Sequence, residues 1–236
     1  MNRFAILAIL LISPVVAIAD PIPKPSEAEA IKRQWGNFVD NGGGTTLKLE
    51  GKRLRMMLPT GDRMIFPIRS DTPAFAPYVA ETFRGDFVAT VTVHRHSPPA
   101  NATGYASEPL TGSGLVAIFD EKTILSLGRA TMQKERGLQF RSTFRYPAGS
   151  STNSGSGPAN QAKNESVTLR LIRKADQLTM EYRFDDGKKW QQFSNYQRAT
   201  HDEVKIGIYA EHSCDAATEA VFEGFSVKPL VDEKKP

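Results

Sequence analysis

The chain has 236 residues, 40% hydrophobic and 24% charged, which is the composition of a globular protein and excludes a disordered or collagen-like one. Its 30 Lys and Arg against 26 Asp and Glu leave a formal charge of +4. Such near-balance gives a mixed surface instead of the one-sided basic stripe that phosphate backbones demand, so no nucleic-acid partner is expected.

Residues 1–19 read as an export signal. Arg3 supplies the positive start, Phe4 to Ile12 is an unbroken apolar run, and Ala17-Ile18-Ala19 offers small residues for cleavage. The apolar run is too short for a membrane span, which takes about 20 residues. A secreted or periplasmic protein, with no membrane attachment after cleavage, is therefore expected. Cys214 is the only cysteine, so no intramolecular disulfide can form. His212 stands two residues before it, but no third group completes a nucleophilic site, and a buried thiol is the preferred reading.

Residues 20–34 read as a proline-stiffened linker in which Ser26 and Glu29 make a capping-box pattern able to open a two-turn helix. After Trp35 the hydrophobic period becomes two. Leu47/Leu49 and Leu54/Met56/Leu58 predict strands about a turn at Gly51, ended by Thr60-Gly61-Asp62. Asp86 to His96 sets Phe87, Ala89, Val91 and Val93 on one face and Val88, Thr90, Thr92, His94 and His96 on the other. Ser113 to Phe119 is apolar on both faces, as a strand covered from two sides would be.

Thr123 to Met132 and Leu138 to Tyr146 follow as strands. Alternation at Val167/Leu169/Leu171, Leu178/Met180/Tyr182/Phe184 and Val204/Ile206/Ile208/Ala210 marks three more, and Ala220 to Val227 is a last strand kinked at Gly224. Residues 97–112 and 147–163 read as long loops. Eight to thirteen short strands over 35–230 predict a single all-β sandwich domain, with 231–236 as a charged tail.

Several segments in fixed order carry a family resemblance. They are Trp35 to Asp40 with its following glycines, Phe83 to Val91, Ser113 to Asp120, Val167 to Leu178 running into Asp185-Asp186-Gly187-Lys188-Lys189-Trp190, and Val204 to Ala210. Together, over about residues 35–228, the chain resembles the bacterial domain-of-unknown-function 1349 family. The resemblance implies a concanavalin A-like jelly-roll β-sandwich, lectin-like or glucanase-like and usually secreted. It implies no defined reaction, since one fold hosts many functions.

The run from Asp185 to Trp190 matches the D-x-G-x-x-W core of an Asp-box hairpin, a structural turn onto which the Trp folds back. His94 and His96 share a strand face at a metal-ligand spacing, with Glu211 or His212 as a conceivable third ligand. Nothing in the spacing fixes that third ligand, so no metal and no other cofactor is expected. Jelly-roll glucanases carry an E-x-D-x-x-E run on one strand, and this chain has none; G-x-S-x-G, H-E-x-x-H and P-loop motifs are absent too. No catalytic residue is assigned.

What remains is polar strand faces: Thr90, Thr92, His94, Gln139, Arg141, Thr143, Tyr209 and Glu211 all oppose the apolar face of their strands. His94, Arg141, Tyr209 and Glu211 are the expected ligand-binding residues, on one shared surface, with Tyr105 and Tyr146 as additional platforms at loop edges. The leading expectation is an exported, non-catalytic sandwich binding a glycan or another polyhydroxylated ligand. The alternatives are a glycoside-active enzyme whose carboxylates come from separate strands, and a structural or partner-binding envelope protein.

Overall fold

A computed structural model describes residues 26–65, 76–94, 110–120, 123–132, 138–146, 149–155, 166–184, 189–197 and 201–230. The expected signal (1–19), the tail (231–236), His96, Tyr105 and the Asp185–Lys188 part of the Asp-box lie outside the described residues.

The capping box forms as read. Ser26 precedes helix α1 (Glu27–Trp35), its Oγ accepts from the Glu29 N–H at 3.3 Å, and Glu29 Oε2 accepts from the Ser26 N–H at 2.8 Å. Glu27 and Glu29 in the first turn and Lys32 and Arg33 in the last complement the helix dipole. Ile31 and Trp35 are buried, and the indole stacks on Phe225 with ring centroids 6.3 Å apart. Residues 27–34, expected as part of a linker, thus belong to a helix whose inner face enters the core. No described helix is long and apolar enough to cross a membrane.

Fifteen strands follow among the described residues, beyond the eight to thirteen expected. They are β1 (Asn37–Val39), β2 (Thr46–Glu50), β3 (Arg53–Leu58), β4 (Gly61–Arg63), β5 (Tyr78–Arg84), β6 (Phe87–Val93), β7 (Leu110–Ile118) and β8 (Ile124–Met132). Then come β9 (Leu138–Tyr146), β10 (Gly149–Gly155), β11 (Val167–Lys174), β12 (Gln177–Phe184), β13 (Gln191–Gln197), β14 (Glu203–Cys214) and β15 (Thr218–Pro229). One sheet has eight strands in the order β1-β5-β14-β7-β8-β9-β10, with β4 also paired to β14; the other has seven in the order β13-β12-β11-β6-β15-β3-β2.

The two sheets pack through the faces that alternation assigns to the core. Val91, Leu169, Met180 and Phe222 of the seven-stranded sheet meet Leu115, Leu127, Ile206 and Ile208 of the other, all fully buried. Each such side chain stabilises the fold by about 1.5–3 kcal/mol through its burial. In β15 the expected kink is a bulge: Gly224 takes φ +67° and the pairing with β6 slips between Glu223 and Ser226.

Two expectations are corrected. Gly61-Asp62, read as a strand terminator, begins the short strand β4 against His212 to Cys214. Residues 149–155, read as part of a loop, form β10, an edge strand paired with β9. An edge strand needs backbone partners but no buried face, so its Gly-Ser-Ser-Thr-Asn-Ser-Gly sequence carries no hydrophobic alternation to betray it.

Candidate functional site

Strand β7 is buried from Leu110 to Ala117 on both faces, and the outer face explains why. There Val116, Ile124 and Tyr209 form a second apolar cluster with Ile65 and Ala76, residues of the crossing that follows β4 and precedes β5. Tyr78 and Ile118 pack alongside.

Within this covered face the register builds two polar rows. Tyr209 pairs with Gly114, Gly114 with Gly128, and Gly128 with Arg141. One step along, Glu211 pairs with Gly112, Gly112 with Ala130, and Ala130 with Gln139. The glycines make room for flat-lying side chains. A Cβ on Gly128 would stand 2.3 Å from the Tyr209 hydroxyl, and one on Gly112 would stand 2.9 Å from Glu211 Oε1. Tyr209 is only 1% exposed and Glu211 5%. Glu211 Oε2 accepts the buried Ile65 N–H at 3.1 Å, which ties Ile65 to the sheet. Burial pushes the neighbouring Tyr78 phenol above its ordinary value, keeping it a neutral hydroxyl.

Of the four expected ligand residues, Arg141, Tyr209 and Glu211 thus lie on strands of one sheet, Arg141 in the row of Tyr209. The backbone of Arg141 is described; its side chain is not. His94 is not with them. It follows β6, in the middle of the seven-stranded sheet, so the whole core separates it from Tyr209 and Glu211. Alternation along a strand says that a side chain points away from the core, but not from which sheet. The single shared surface is corrected to two.

On its own sheet His94 is tightly engaged. Its Nδ1 is 2.7 Å from Ser166 Oγ and its Nε2 is 2.9 Å from Glu223 Oε2. Arg53 Nε donates to the same Glu223 oxygen at 2.9 Å, and Arg53 first, then His94, hold that carboxyl below its usual range. Both ring nitrogens of the weak metal candidate His94 therefore face protein partners. Among the described residues no group of three His, Cys, Asp or Glu converges to hold a metal ion. On the same sheet face Trp190 lies over the guanidinium groups of Arg170 and Arg183, at 4.0 and 4.6 Å, and Arg170 also pairs with Glu181. The indole thus lies against β11 and β12; the Asp-box turn itself lies outside the described residues.

Cys214 is buried, with Sγ 3.2 Å from His212 Nδ1 and 3.3 Å from the Ala216 carbonyl; Thr218 Oγ1 is 3.1 Å from the same ring nitrogen. Burial pushes the His212 imidazole below its ordinary value, and the Pro59 carbonyl opposes this more weakly. A histidine held neutral in the fold leaves the unfolded chain to take up the proton first. Stability is then expected to be full above pH 6.5 and to fall as pH drops through that value. Urea melts at pH 8 and 5.5 check this: the loss should shrink in His212→Gln, and an equal loss in both proteins would refute the assignment.

Glycines inside strands were the sequence signal for the covered face. Gly112 and Gly128 stand where Glu211 and Tyr209 lie, which marks a close approach of other groups.

Two antiparallel sheets of this order, closed over one core, define a jelly-roll β-sandwich of the concanavalin A and legume-lectin kind. No family model and no curated protein matches the sequence. Among solved structures, a functionally unknown protein from Saccharomyces cerevisiae superposes with a TM-score of 0.65 at 14% identity, over 83% of this chain and 96% of that one. A legume lectin-like domain from Entamoeba histolytica gives 0.53 at 9% identity, over 86% and 93%. A GH43 protein from Bacillus licheniformis gives 0.51 at 15% identity, over 82% of this chain but 39% of that one. At such identities the likeness is one of fold.

Proposed function

We propose that this chain is an exported sandwich protein of the domain-of-unknown-function 1349 type that binds a glycan or similar polyhydroxylated ligand without cleaving glycosidic bonds. The observation that carries this is the pair of polar rows on the eight-stranded sheet, where Glu211 and Tyr209 lie on a glycine floor with Arg141 in register. A carboxylate, a phenol and a guanidinium group are the hydrogen-bonding set that hydroxyl-rich ligands require; Tyr209 and Glu211, 1% and 5% exposed, stand behind the surface that a ligand would touch. The fold shared with a legume lectin-like domain supports the same reading, and the pattern of residues 1–19 supports export.

A glycan array probed with the chain lacking residues 1–19, followed by titration of the best ligand, tests it. Arg141→Ala, Tyr209→Phe and Glu211→Gln should each weaken binding by about 1–3 kcal/mol, the loss on removing a buried hydrogen-bond partner. The last two keep the shape of the packed side chain, so folding is preserved. No retained glycan, or three variants that bind like the parent, would overturn the reading. Exported protein should begin at Asp20 by N-terminal sequencing.

A further inference from the structure

We propose that Ser166, His94 and Glu223 form a serine-hydrolase-type relay on the outer face of the seven-stranded sheet, acting on short acyl esters. The inference goes beyond glycan binding and uses the opposite side of the molecule.

Three adjacent strands assemble the relay. Strand β6 lies between β11 and β15, and Val93 pairs with Val167 on one side and Phe222 on the other. His94 directly follows Val93 and Ser166 directly precedes Val167, so the register sets these two opposite each other; Glu223 pairs with Thr92, and the imidazole reaches it on the diagonal. The His94 N–H donates to the Val221 carbonyl at 2.9 Å, which fixes the strand end that carries the ring.

The hydrogen bonds set the tautomer. An ionised Glu223 can only accept, so at 2.9 Å Nε2 carries a proton, and in the neutral ring the lone pair of Nδ1 then faces Ser166 Oγ at 2.7 Å. Arg53, bound to Glu223 at 2.9 Å, keeps the carboxylate in place. The His94 side chain is 21% exposed and Ser166 is half-buried, so a substrate can reach both. Nearby Thr92 and Thr168 bond each other at 3.0 Å, leaving polar surroundings that suit an acetyl-sized group better than a long acyl chain.

The chemistry balances without a co-reactant other than water. Ser166 Oγ attacks the ester carbonyl carbon while its proton passes to His94 Nδ1, and the resulting imidazolium is stabilised by Glu223 through Nε2–H. The C–O bond to the alcohol breaks as that proton moves to the departing oxygen. Water then attacks the acyl-serine, gives its proton to Nδ1, and releases the carboxylic acid with Ser166 restored. Ser166 and His94 are the catalytic residues; Glu223 and Arg53 are positioning residues.

The experiment treats the full chain with a fluorophosphonate and maps the adduct by mass spectrometry, with p-nitrophenyl acetate turnover measured in parallel. A phosphonyl adduct on Ser166 is expected, absent in Ser166→Ala and at least tenfold slower to form in His94→Asn, and turnover should fall about 10²–10⁴-fold in both variants. Glu223→Gln should lower kcat with KM unchanged, a split that a purely structural role would not give. Circular dichroism should match the parent throughout, because all three side chains lie on the outer face. No adduct at Ser166, or turnover undiminished in Ser166→Ala, would overturn the proposal. Because the adduct is read without any glycan, its failure is distinct from failure of glycan binding.

Discussion

Replacing Tyr209 by Ala is expected to lower folding stability by about 3–5 kcal/mol, whereas Tyr209→Phe should cost about 1 kcal/mol. The ring is 1% exposed and packs with Ile65, Val116 and Ile124 on the outer face of the eight-stranded sheet. Beneath it lie Gly114 and Gly128, which have no side chains with which to fill the void. The site therefore collapses poorly, and a cavity of nearly full ring size remains. From alternation alone Tyr209 reads as an outward residue whose loss should hardly affect stability. The covering segment reverses that expectation. Urea denaturation gives the measure: the midpoint should fall with the slope unchanged. A Tyr209→Ala midpoint within about 0.5 kcal/mol of the parent would mean that the outer face is open to solvent.

Trp35→Ala is expected to be equally severe, at about 3–5 kcal/mol. Its indole is 1% exposed, stacks on Phe225 of β15, and shares the core with Ile31 one turn earlier in the helix. The helix thereby joins the start of the chain to its last strand. The same denaturation series checks this. If Trp35→Ala melts with the parent, α1 is an appendage and the domain begins at β1.

Much of the fold was legible because a buried strand writes its environment into a period of two. The inward faces of β3, β6, β11 and β12 are the alternating residues read from sequence, with Leu54, Val91, Leu169 and Met180 fully buried. The helix start was legible because a capping box needs only two residues at fixed spacing. Strands β1, β4, β5, β10 and β13 were not read as strands. Three of these, β1, β10 and β13, are sheet edges held by pairing more than by packing.

The site was half legible. Parity placed His94, Tyr209 and Glu211 away from the core, which holds for all three. It could not say that β6 and β14 belong to different sheets, because that depends on pairings more than 100 residues apart, such as the His94–Glu223 contact at a separation of 129. Ser166 carried no local signal, since only the register of β11 against β6 gives it a partner. The apolar character of β7 on both faces did announce a second cover; the glycines opposite Tyr209, which could have shown where its ring lies, were not read.

The position of β15 between β3 and β6 has a consequence for how the chain matures. The seven-stranded sheet consists of an early hairpin, β2–β3, and a later block of β6, β11, β12 and β13, and the final strand alone bridges them. Arg55 of β3 and Glu219 of β15 meet across 164 residues and Arg53 and Glu223 across 170, so long loops close last. Contacts of such sequence separation make folding slow, on the order of milliseconds to seconds. A ribosome-bound or truncated chain ending before Thr218 would hold two half-sheets with bare edges, the kind of species that associates with its own copies. Completion of the seven-stranded sheet therefore waits until Thr218–Pro229 has been made, and until then the polypeptide stays loose.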